Sequence, residues 1–554
     1  MKEKIAVILE KPTGLKKEEI LQALEIPKDS ALGDCAFPCF SLAKVLKKSP
    51  MEIAKSLASN IKSTDFEKIE AVGPYINFFV NRNFLAAEVL KKIQKEGDKY
   101  GSSSIGKGKS IVIDMSSPNV AKPFGIGHLR STIIGNSIAK ISTFLGFKVI
   151  KINYLGDWGT QFGKLIIGYK KFGSPEKLKK DPIKNLQEWY VQVNKDESLE
   201  PEAREWFKKL EEGDKEALKL WKLFREVSLK KFDEIYKLLG IKFEVISGES
   251  LYNKMEKTLD LLKEKGLLKK DQGAEIVDLT EYALGACLIR KSDGATLYAT
   301  RDLTAAIERF QDYHFHKMIY EVGSEQKLHF KQVFKVLSLL GFNWAENCIH
   351  ADHGLYLDSD GKKFATRKGK TVFMEDVLEE TIALAKQEIE KREKLAKKEI
   401  ERRAKAIALS AIFYGDLKNY RSNSIIFDID KFLSFEGDTG PYLLYTYARA
   451  RSILRKAKYK KGRYSINELT DLEKQLINQL SSFPEIAKHA YENLAPNIIA
   501  NYSFQLAQLF NEFYHKNQVI GSENEKFKLA LVDSFSQVLK NSLALLGIST
   551  LERM

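Results

Sequence analysis

Cysteine is scarce in this chain of 554 residues, and its four cysteines form no paired C-x-x-C motif. Cys35 and Cys39 could share one helix face, but no second pair or nearby histidine completes a zinc site. We therefore expect buried free thiols in a reducing cytoplasm at all four positions, the other two being Cys287 and Cys348.

Long apolar runs are also missing. No stretch approaches the ~18 apolar residues that a membrane-spanning helix needs. The apolar run within the first ten residues is too short for a secretory signal peptide. These two absences predict a cytoplasmic protein that has no membrane partner.

Acidic residues are fewer than basic ones, because 74 Asp and Glu stand against 89 Lys and Arg, for a net charge of +15. This excess favours a polyanionic partner, and nucleic acid is the natural candidate. Solubility in a lysine-rich proteome would give the same excess, so charge alone leaves both explanations open. With 44% apolar and 29% charged residues, the chain has a globular composition and the length of three or four domains.

One strand–loop–helix–strand pattern organises the chain. Residues 110–115 predict a buried parallel strand, residues 129–145 carry apolar side chains at helical spacing, and residues 148–153 predict a second strand. This is half of a nucleotide-binding α/β fold. The loop brings Gly127 and His128 to a helix N-terminus, where unpaired N–H groups and the helix dipole favour phosphate.

Four regions are predicted along the chain. Strands that alternate with helices predict an α/β, Rossmann-type parallel sheet, which is continued at residues 294–303 and 317–322. After residue 432 no strand pattern recurs. The regions are a small α/β module at 1–100, the sheet domain at 110–375 with a helical insertion at about 170–240, a helical connection at 376–430, and an all-helical bundle at 431–554.

A basic loop at residues 361–370 is the second chemical element. A flexible basic loop can close over a triphosphate and neutralise the charge that develops on a pyrophosphate leaving group. Taken alone, such a loop in a lysine-rich protein is usually ordinary surface. This loop becomes informative about function because it follows the loop that carries His128 along the chain.

The two loops together carry a resemblance. Lys122-Pro-Phe-Gly-Ile-Gly-His128 resembles the "HIGH" loop of class I aminoacyl-tRNA synthetases, and Lys363-Phe-Ala-Thr-Arg367 resembles their "KMSKS" loop. Gly125 stands where the first HIGH histidine is expected, and Thr366 replaces the second lysine of KMSKS. The sequence at 366–369 looks like that of arginyl-tRNA synthetases, where a lysine before the HIGH loop supplies the missing charge.

The resemblance to this family runs over the whole chain, in six further motifs that occur in order. They are Ser116-Ser-Pro-Asn119, Gly156-Asp-Trp-Gly-Thr-Gln161, Tyr298-Ala-Thr-Arg-Asp302, Gly323-Ser-Glu-Gln326, Asp438-Thr-Gly-Pro-Tyr442 and Glu552-Arg-Met554. The resemblance implies activation of L-arginine by ATP to arginyl-adenylate and pyrophosphate. Transfer to the 3'-terminal adenosine of tRNA(Arg) then releases AMP. It also implies Mg²⁺ brought by ATP without a dedicated protein metal site, and we expect a monomer.

The resemblance further implies roles for individual residues. The catalytic residues would be Lys122, His128, Lys363 and Arg367. ATP would be bound by Gly125, Gly127, His128, Gly323, His353 and Lys363. Arginine would be bound by Asn119, Glu249, Tyr298, Asp302 and Gln326, with the two carboxylates on the guanidinium. The tRNA would be contacted by Tyr75, Asn77, Tyr442, Tyr445, Tyr514 and Met554.

Plainer roles remain open for several of these residues. Asp302 could be a partner of Arg301 or a helix N-cap, and Glu249 could be a surface carboxylate. The alternation around Ile76 predicts that Tyr75 and Asn77 share an exposed sheet face, which could be ordinary surface. Tyr442 and Tyr445 lie three apart on one predicted helix, so one of them should face the core.

Two other functions also remain open. The chain could activate a different amino acid, or it could be a non-catalytic RNA-binding paralogue, as Gly125 suggests. The donor missing at Gly125 would have contributed about 1.5–3 kcal/mol. Its absence slows activation unless a neighbouring group or a water compensates. ATP-dependent transfer of arginine to tRNA separates these possibilities.

Overall fold

The computed structural model describes residues 2–27, 29, 32–251, 255–292, 298–364, 366–367, 370–371 and 373–554, with the backbone only at 251, 366–367, 370–371 and 392. Contacts divide the chain into two units. Unit 1 consists of Met1–Tyr100, Ile453–Ser482 and Gln508–Val538. Unit 2 consists of Gly101–Ser452, Phe483–Ala507 and Leu539–Met554. The four-region division drawn from the sequence stays a prediction.

The described residues form both strands and helices, numbered in chain order. The strands are β1 Cys35–Pro38, β2 Phe66–Val72, β3 Tyr75–Val80, β4 Ser110–Asp114, β5 Lys148–Leu155, β6 Val245–Gly248, β7 Leu268–Asp271, β8 Ala274–Asp278, β9 Ala286–Arg290, β10 Lys317–Tyr320, β11 Cys348–His350, β12 Tyr356–Leu357, β13 Thr366–Arg367, β14 Lys370–Thr371 and β15 Ile425–Ile426. The α-helices are α1 Lys2–Thr13, α2 Lys17–Ala23, α3 Phe40–Leu46, α4 Pro50–Asn60, α5 Arg82–Glu96, α6 Ile126–Phe144, α7 Gln161–Phe172, α8 Pro175–Lys180, α9 Pro182–Lys195, α10 Glu200–Glu211, α11 Lys215–Leu239, α12 Met255–Glu264, α13 Tyr298–Tyr313, α14 Lys327–Leu339, α15 Met374–Arg392, α16 Lys397–Leu417, α17 Ile429–Phe432, α18 Gly440–Lys456, α19 Asp471–Glu492, α20 Pro496–Lys516 and α21 Glu525–Leu545.

The N-terminal part of unit 1 is the predicted small α/β module. Its antiparallel sheet has the order β1-β3-β2, and Ile76 and Phe78 of the central strand are fully buried in its core. The predicted exposure of Asn77 is wrong, because only 3% of this residue is exposed. It lies on the central strand between Ala36 and Glu70 of the two neighbouring strands, so side chains flank it on both sides. Tyr75 is half-buried.

The predicted parallel sheet is confirmed in unit 2. Five strands pair in parallel in the order β11-β10-β4-β5-β6. The central strand β4 buries Ile111, Val112 and Ile113 completely, as expected for a strand covered on both faces. The chain runs from β4 outward to β6 and later returns on the other side of β4 as β10. Ligands of open α/β sheets bind at such a switch point, outside the carboxyl ends of the strands.

Helix α6 follows β4 as predicted, and it begins at Ile126 with Gly125 as its N-cap. The strand predicted at 294–303 is wrong for the residues that can be judged, because α13 begins at Tyr298. Residues 294–297 lie outside the described residues. Helical burial explains the difference, since Leu303, Ala306 and Ile307 at i, i+3 and i+4 face the core.

Helices α7 to α11 occupy the region of the predicted insertion. Residues 268–290 add an antiparallel sheet of order β7-β8-β9, which the sequence did not reveal. From residue 432 to the C-terminus, a segment described throughout, the regular elements are helices, as predicted. All four cysteines are buried and free, also as predicted. Among the described helices, none combines the length and the apolar character needed to cross a membrane.

Candidate active site

A cavity of about 470 Å³ lies at the switch point of the parallel sheet, within unit 2. Its walls are the loop after β4, the N-terminus of α6, the loop after β10 and the segment after β11. The ATP-binding residues predicted from the sequence lie on these segments. Gly125, Gly127, His128, Gly323, His353 and Lys363 all line the cavity.

The loop after β4 has a strained backbone. Ser116, Ser117 and Ala121 have φ values of 76°, 49° and 60°, a region that residues with a Cβ rarely adopt. Hydrogen bonds from two helices hold this shape. Ser131 Oγ accepts from the Ser116 N–H at 2.9 Å, and Ser228 Oγ accepts from the Ala121 N–H at 3.0 Å. Strain maintained in this way is typical of a loop shaped for a ligand.

His128 is held as a neutral ring. The Gly125 N–H donates to His128 Nδ1 at 3.1 Å, so Nδ1 is the acceptor nitrogen and we assign the ring proton to Nε2. Burial lowers the pKa of His128 to about 4, and the charges of His353 and Lys122 lower it further. At pH 7 this histidine can donate one hydrogen bond but carries no positive charge.

A second histidine on the cavity wall has a charged partner. His353 Nδ1 lies 2.9 Å from Glu321 Oε1, and both residues are buried. Burial works against the charge of His353, but the charge and hydrogen bond of Glu321 outweigh it and raise the pKa of His353.

Part of the cavity wall belongs to a buried polar network that the sequence did not reveal. Arg130 Nε is 3.5 Å from Asp416 Oδ2, and Arg130 Nη1 donates to the Leu355 carbonyl at 3.3 Å. The Tyr356 hydroxyl donates to Asp416. Arg130 stands two residues after His128, and this proximity to the motif was the only signal in the sequence.

The candidate arginine residues divide into two groups. Asn119 and Gln326 line the cavity, whereas Glu249, Tyr298 and Asp302 are not part of its wall. Tyr298 and Asp302 stand one turn apart on α13, and Tyr298 is 65% exposed.

Each of the two candidate carboxylates has a basic partner. Asp302 Oδ2 lies 2.6 Å from His329 Nε2, and Glu249 Oε2 accepts from Arg301 Nη1 at 2.9 Å. The alternative role of Asp302 as the partner of Arg301 is therefore wrong, because Arg301 pairs with Glu249. The alternative for Glu249 is also wrong, since only 13% of its side chain is exposed and it is not a surface carboxylate.

A buried aspartate fixes the segment that carries Glu249. Asp157 accepts from the Ser250 N–H at 2.9 Å and from Ser250 Oγ at 2.8 Å. It also accepts from Arg225 Nε at 2.9 Å. A Cβ at Gly248 would overlap the Asp157 carboxylate, so this approach needs glycine. Asp157 belongs to the sequence motif at 156–161, but the motif did not reveal that Asp157 supports the segment that carries Glu249.

Burial raises the pKa of Glu249 to about 7. The Arg301 charge and hydrogen bond lower it, whereas Asp302 and Asp157 raise it. This carboxyl therefore changes its charge near neutral pH, where a cationic ligand would favour the ionised form.

Asn119 depends on a glycine of the next motif. The two backbones form a parallel bridge between Asn119 and Gly156, and a Cβ at Gly156 would overlap Asn119 Oδ1. The close approach places the amide on the cavity wall and explains why residue 156 lacks a side chain.

The candidate cations are placed differently from one another. Lys363 lines the cavity and is exposed. Lys122 is half-buried outside the cavity wall, with Nζ 5.9 Å from the centroid of the Tyr190 ring. The backbone of Arg367 pairs with Lys370 in the β13–β14 hairpin, and the side chain of Arg367 lies outside the described residues.

The candidate tRNA residues differ in exposure. Tyr442 is half-buried, with its ring centroid 5.7 Å from that of Phe504, whereas Tyr445 is exposed. Tyr514 is also exposed, and Met554 is half-buried.

Three family models match the chain. The model for the class I tRNA synthetase (R) catalytic domain matches residues 89–429, the DALR anticodon binding domain matches residues 443–554, and the arginyl tRNA synthetase N-terminal domain matches residues 1–80.

Individual relatives agree with these matches. The chain is 48% identical to the arginine–tRNA ligase of Ligilactobacillus salivarius over 100% of both chains. It is 50% identical to that of Enterococcus faecalis over 98% of this chain and 97% of the relative. Among solved structures, the arginyl-tRNA synthetase of Thermus thermophilus matches with a TM-score of 0.80 and 25% identity, over 100% of this chain and 99% of that one.

Proposed function

The chain belongs to the class I arginyl-tRNA synthetase family, and we propose that it ligates L-arginine to tRNA(Arg) with ATP in two chemical steps. The observation that carries the mechanism is the cavity at the switch point, where a helix N-terminus, His128 and Lys363 meet. Unpaired N–H groups and the positive end of the α6 dipole suit the phosphates of ATP.

In the first step, a carboxylate oxygen of arginine attacks the α-phosphorus of ATP. The bond from that phosphorus to the oxygen bridging to the β-phosphate breaks, which yields arginyl-adenylate and pyrophosphate. His128 Nε2–H donates to a phosphate oxygen, and the Lys363 ammonium neutralises charge on the leaving pyrophosphate. In the second step, a hydroxyl of the terminal adenosine attacks the arginyl carbonyl and AMP leaves.

Arginine selection would involve an exchange of the partners of the two carboxylates. The substrate guanidinium would take the place of Arg301 on Glu249 and of His329 on Asp302, while Asn119 and Gln326 hold its backbone end. A guanidinium offers five donors in one plane, so it can serve both carboxylates at once. A neutral analogue would leave buried carboxylates unpaired and should be strongly rejected.

The family resemblance implies that Mg²⁺ arrives on the triphosphate, without a dedicated protein metal site. Among the described residues, no three His, Cys, Asp or Glu side chains are grouped so that they could hold a metal ion. The route of Mg²⁺ stays a prediction. The monomeric state and the cytoplasmic location stay predictions from the sequence.

The direct test is charging of tRNA(Arg) with labelled arginine and ATP. Lysine and citrulline serve as competitors, because citrulline keeps the shape of arginine but has no charge. We expect transfer of arginine alone. Tight tRNA binding without transfer would instead favour the non-catalytic RNA-binding paralogue.

We also propose that Tyr514, within the segment that matches the DALR anticodon binding domain, stacks on a base of the tRNA, and this role has its own test. We expect Tyr514→Ala to raise the KM for tRNA about 5- to 150-fold, since stacking on a base is worth about 1–3 kcal/mol. The KM for ATP should not change. Tyr282→Ala is a matched control, because Tyr282 is equally exposed and has no proposed RNA contact. An unchanged KM for tRNA in Tyr514→Ala would refute the role.

A further inference from the structure

His353 is fixed on the cavity wall through its backbone and its ring. Its N–H donates to the Val322 carbonyl at 3.3 Å, and its carbonyl accepts from the Ser324 N–H at 2.9 Å. The ring is fixed by Nδ1, which lies 2.9 Å from Glu321 Oε1. With its backbone and Nδ1 both engaged, His353 has Nε2 left for a ligand.

Glu321 is placed to keep this ring charged. Its side chain is fully buried, and its Oε2 has no hydrogen-bond partner among the described residues. A buried carboxylate is stable when a cation compensates it, and His353 is the basic group in contact with it. Titratable groups that also act on His353 or respond to it are His128 and Arg130 of α6, His350 of β11 and Asp416 of α16.

The position of the missing histidine adjoins the same cavity. Gly125 lines it, has an ordinary φ of −74°, and a Cβ there would have only His128 Nδ1 within 4 Å, at 3.7 Å. The space for a side chain is present although the side chain is not. Since His128 is held neutral, neither member of the HIGH pair supplies a positive charge in this chain.

We propose that His353, oriented by the buried carboxylate of Glu321, binds the ATP phosphates as a cation in place of the histidine missing at position 125. The proposal rests on the function proposed above. It gives the two histidines different tasks, because His128 donates as a neutral ring and His353 contributes charge. Glu321 acts through His353 and is a positioning residue.

The test is a double-mutant cycle in ATP–pyrophosphate exchange with tRNA(Arg) present. We expect His353→Gln to reduce kcat/KM for ATP about 10- to 150-fold, the range for a hydrogen bond to a charged group. The KM for arginine should stay unchanged. Gly125→His should restore most of the loss in the His353→Gln background and change wild type little, because one histidine would replace the other. His489→Gln, in an exposed histidine of α19 that is not on the cavity wall, is the control.

Glu321→Gln supplies an independent readout. Wild-type kcat/KM for ATP should fall as pH rises through the raised pKa of His353, since the cation is lost there. Without the carboxylate, this fall should begin at a lower pH. Equal effects of Gly125→His in both backgrounds, or an unshifted pH profile in Glu321→Gln, would overturn the proposal. Charging of tRNA(Arg) with arginine by the wild type is measured separately. Failure of the proposed function can therefore be distinguished from failure of this proposal.

Discussion

The two parts of the proposed site are built in opposite ways. At the proposed phosphate end, formed by Gly125, His128, His353 and Lys363, polar and basic side chains line an open cavity of about 470 Å³. At the proposed arginine end, formed by Glu249, Arg301, Asp302 and His329, each carboxylate already contacts a basic side chain. In the proposed mechanism the first end is ready for its ligand, whereas the second must release its own partners first.

This difference matches the chemistry required at each end. Charge develops on phosphate during the reaction, and preorganised groups stabilise it without rearrangement. Selection of arginine needs desolvated carboxylates, which are costly to leave unpaired. In the proposed mechanism, the internal partners would protect these carboxylates until a guanidinium arrives, and an uncharged analogue would not displace them equally well.

The largest expected effect tests the arginine end. We expect Asp302→Asn to lower kcat/KM for arginine roughly a hundred- to several-thousand-fold, because bound arginine would bury this partly exposed carboxylate, and breaking a buried charged pair costs about 3–5 kcal/mol. The KM for ATP should remain near its wild-type value. Pyrophosphate exchange at varied arginine and ATP concentrations measures both effects.

Asp260→Asn is the matched control, since this aspartate is exposed on α12 and pairs with Lys263 at the surface. Equal losses in arginine and ATP parameters after Asp302→Asn would remove the distinction between the two ends. The pairing of Asp302 with His329 would then be only structural.

An intermediate effect is expected at Asn119, which lies on the cavity wall but is proposed to bind arginine. Gly156→Ala introduces a Cβ that overlaps Asn119 Oδ1. Overpacking costs about 1–3 kcal/mol, so kcat/KM for arginine should fall about 5- to 150-fold. Gly462→Ala is the control, because the nearest atom to its added Cβ is 3.9 Å away. A larger loss for ATP than for arginine would assign Asn119 to the phosphate end.

Sequence patterns predicted the framework of the phosphate end well. The apolar run at 110–115 and the helical spacing after Gly127 correctly predicted β4, α6 and the loop between them. This succeeded because a strand buried on both faces and an adjoining helix have local signatures. The strand expected near Tyr298 was wrong because Leu303, Ala306 and Ile307 form a buried helical face in the folded chain.

Partnerships at the arginine end could not be predicted in the same way. His329 and Arg301 meet their carboxylates 27 and 52 residues away along the chain. Glu321 likewise contacts His353 only because β10 and β11 are neighbours. Such pairs depend on tertiary packing, for which a single sequence carries no periodic signal. Asn77 illustrates the same limit, since only the strand order reveals its burial.

The smallest expected effect is a pH dependence confined to the arginine end. The pKa of Glu249 is raised to about 7, so its ionised fraction grows roughly tenfold between pH 6 and pH 8. Arginine needs the ionised form, and its KM should therefore fall about tenfold as pH rises over this range. Arginine itself keeps its guanidinium charge throughout, so the change comes from the protein.

Glu249→Gln should have a KM for arginine that is higher and nearly independent of pH. The pH dependence of ATP binding should have the opposite sign, because protonated His353 is lost as pH rises and ATP binding weakens. Opposite pH dependences of arginine binding and ATP binding in one enzyme would show that each end titrates through its own group. If both substrates instead bound more weakly, or both more tightly, as pH rises, one shared group would be responsible and the separation of the two ends would fail.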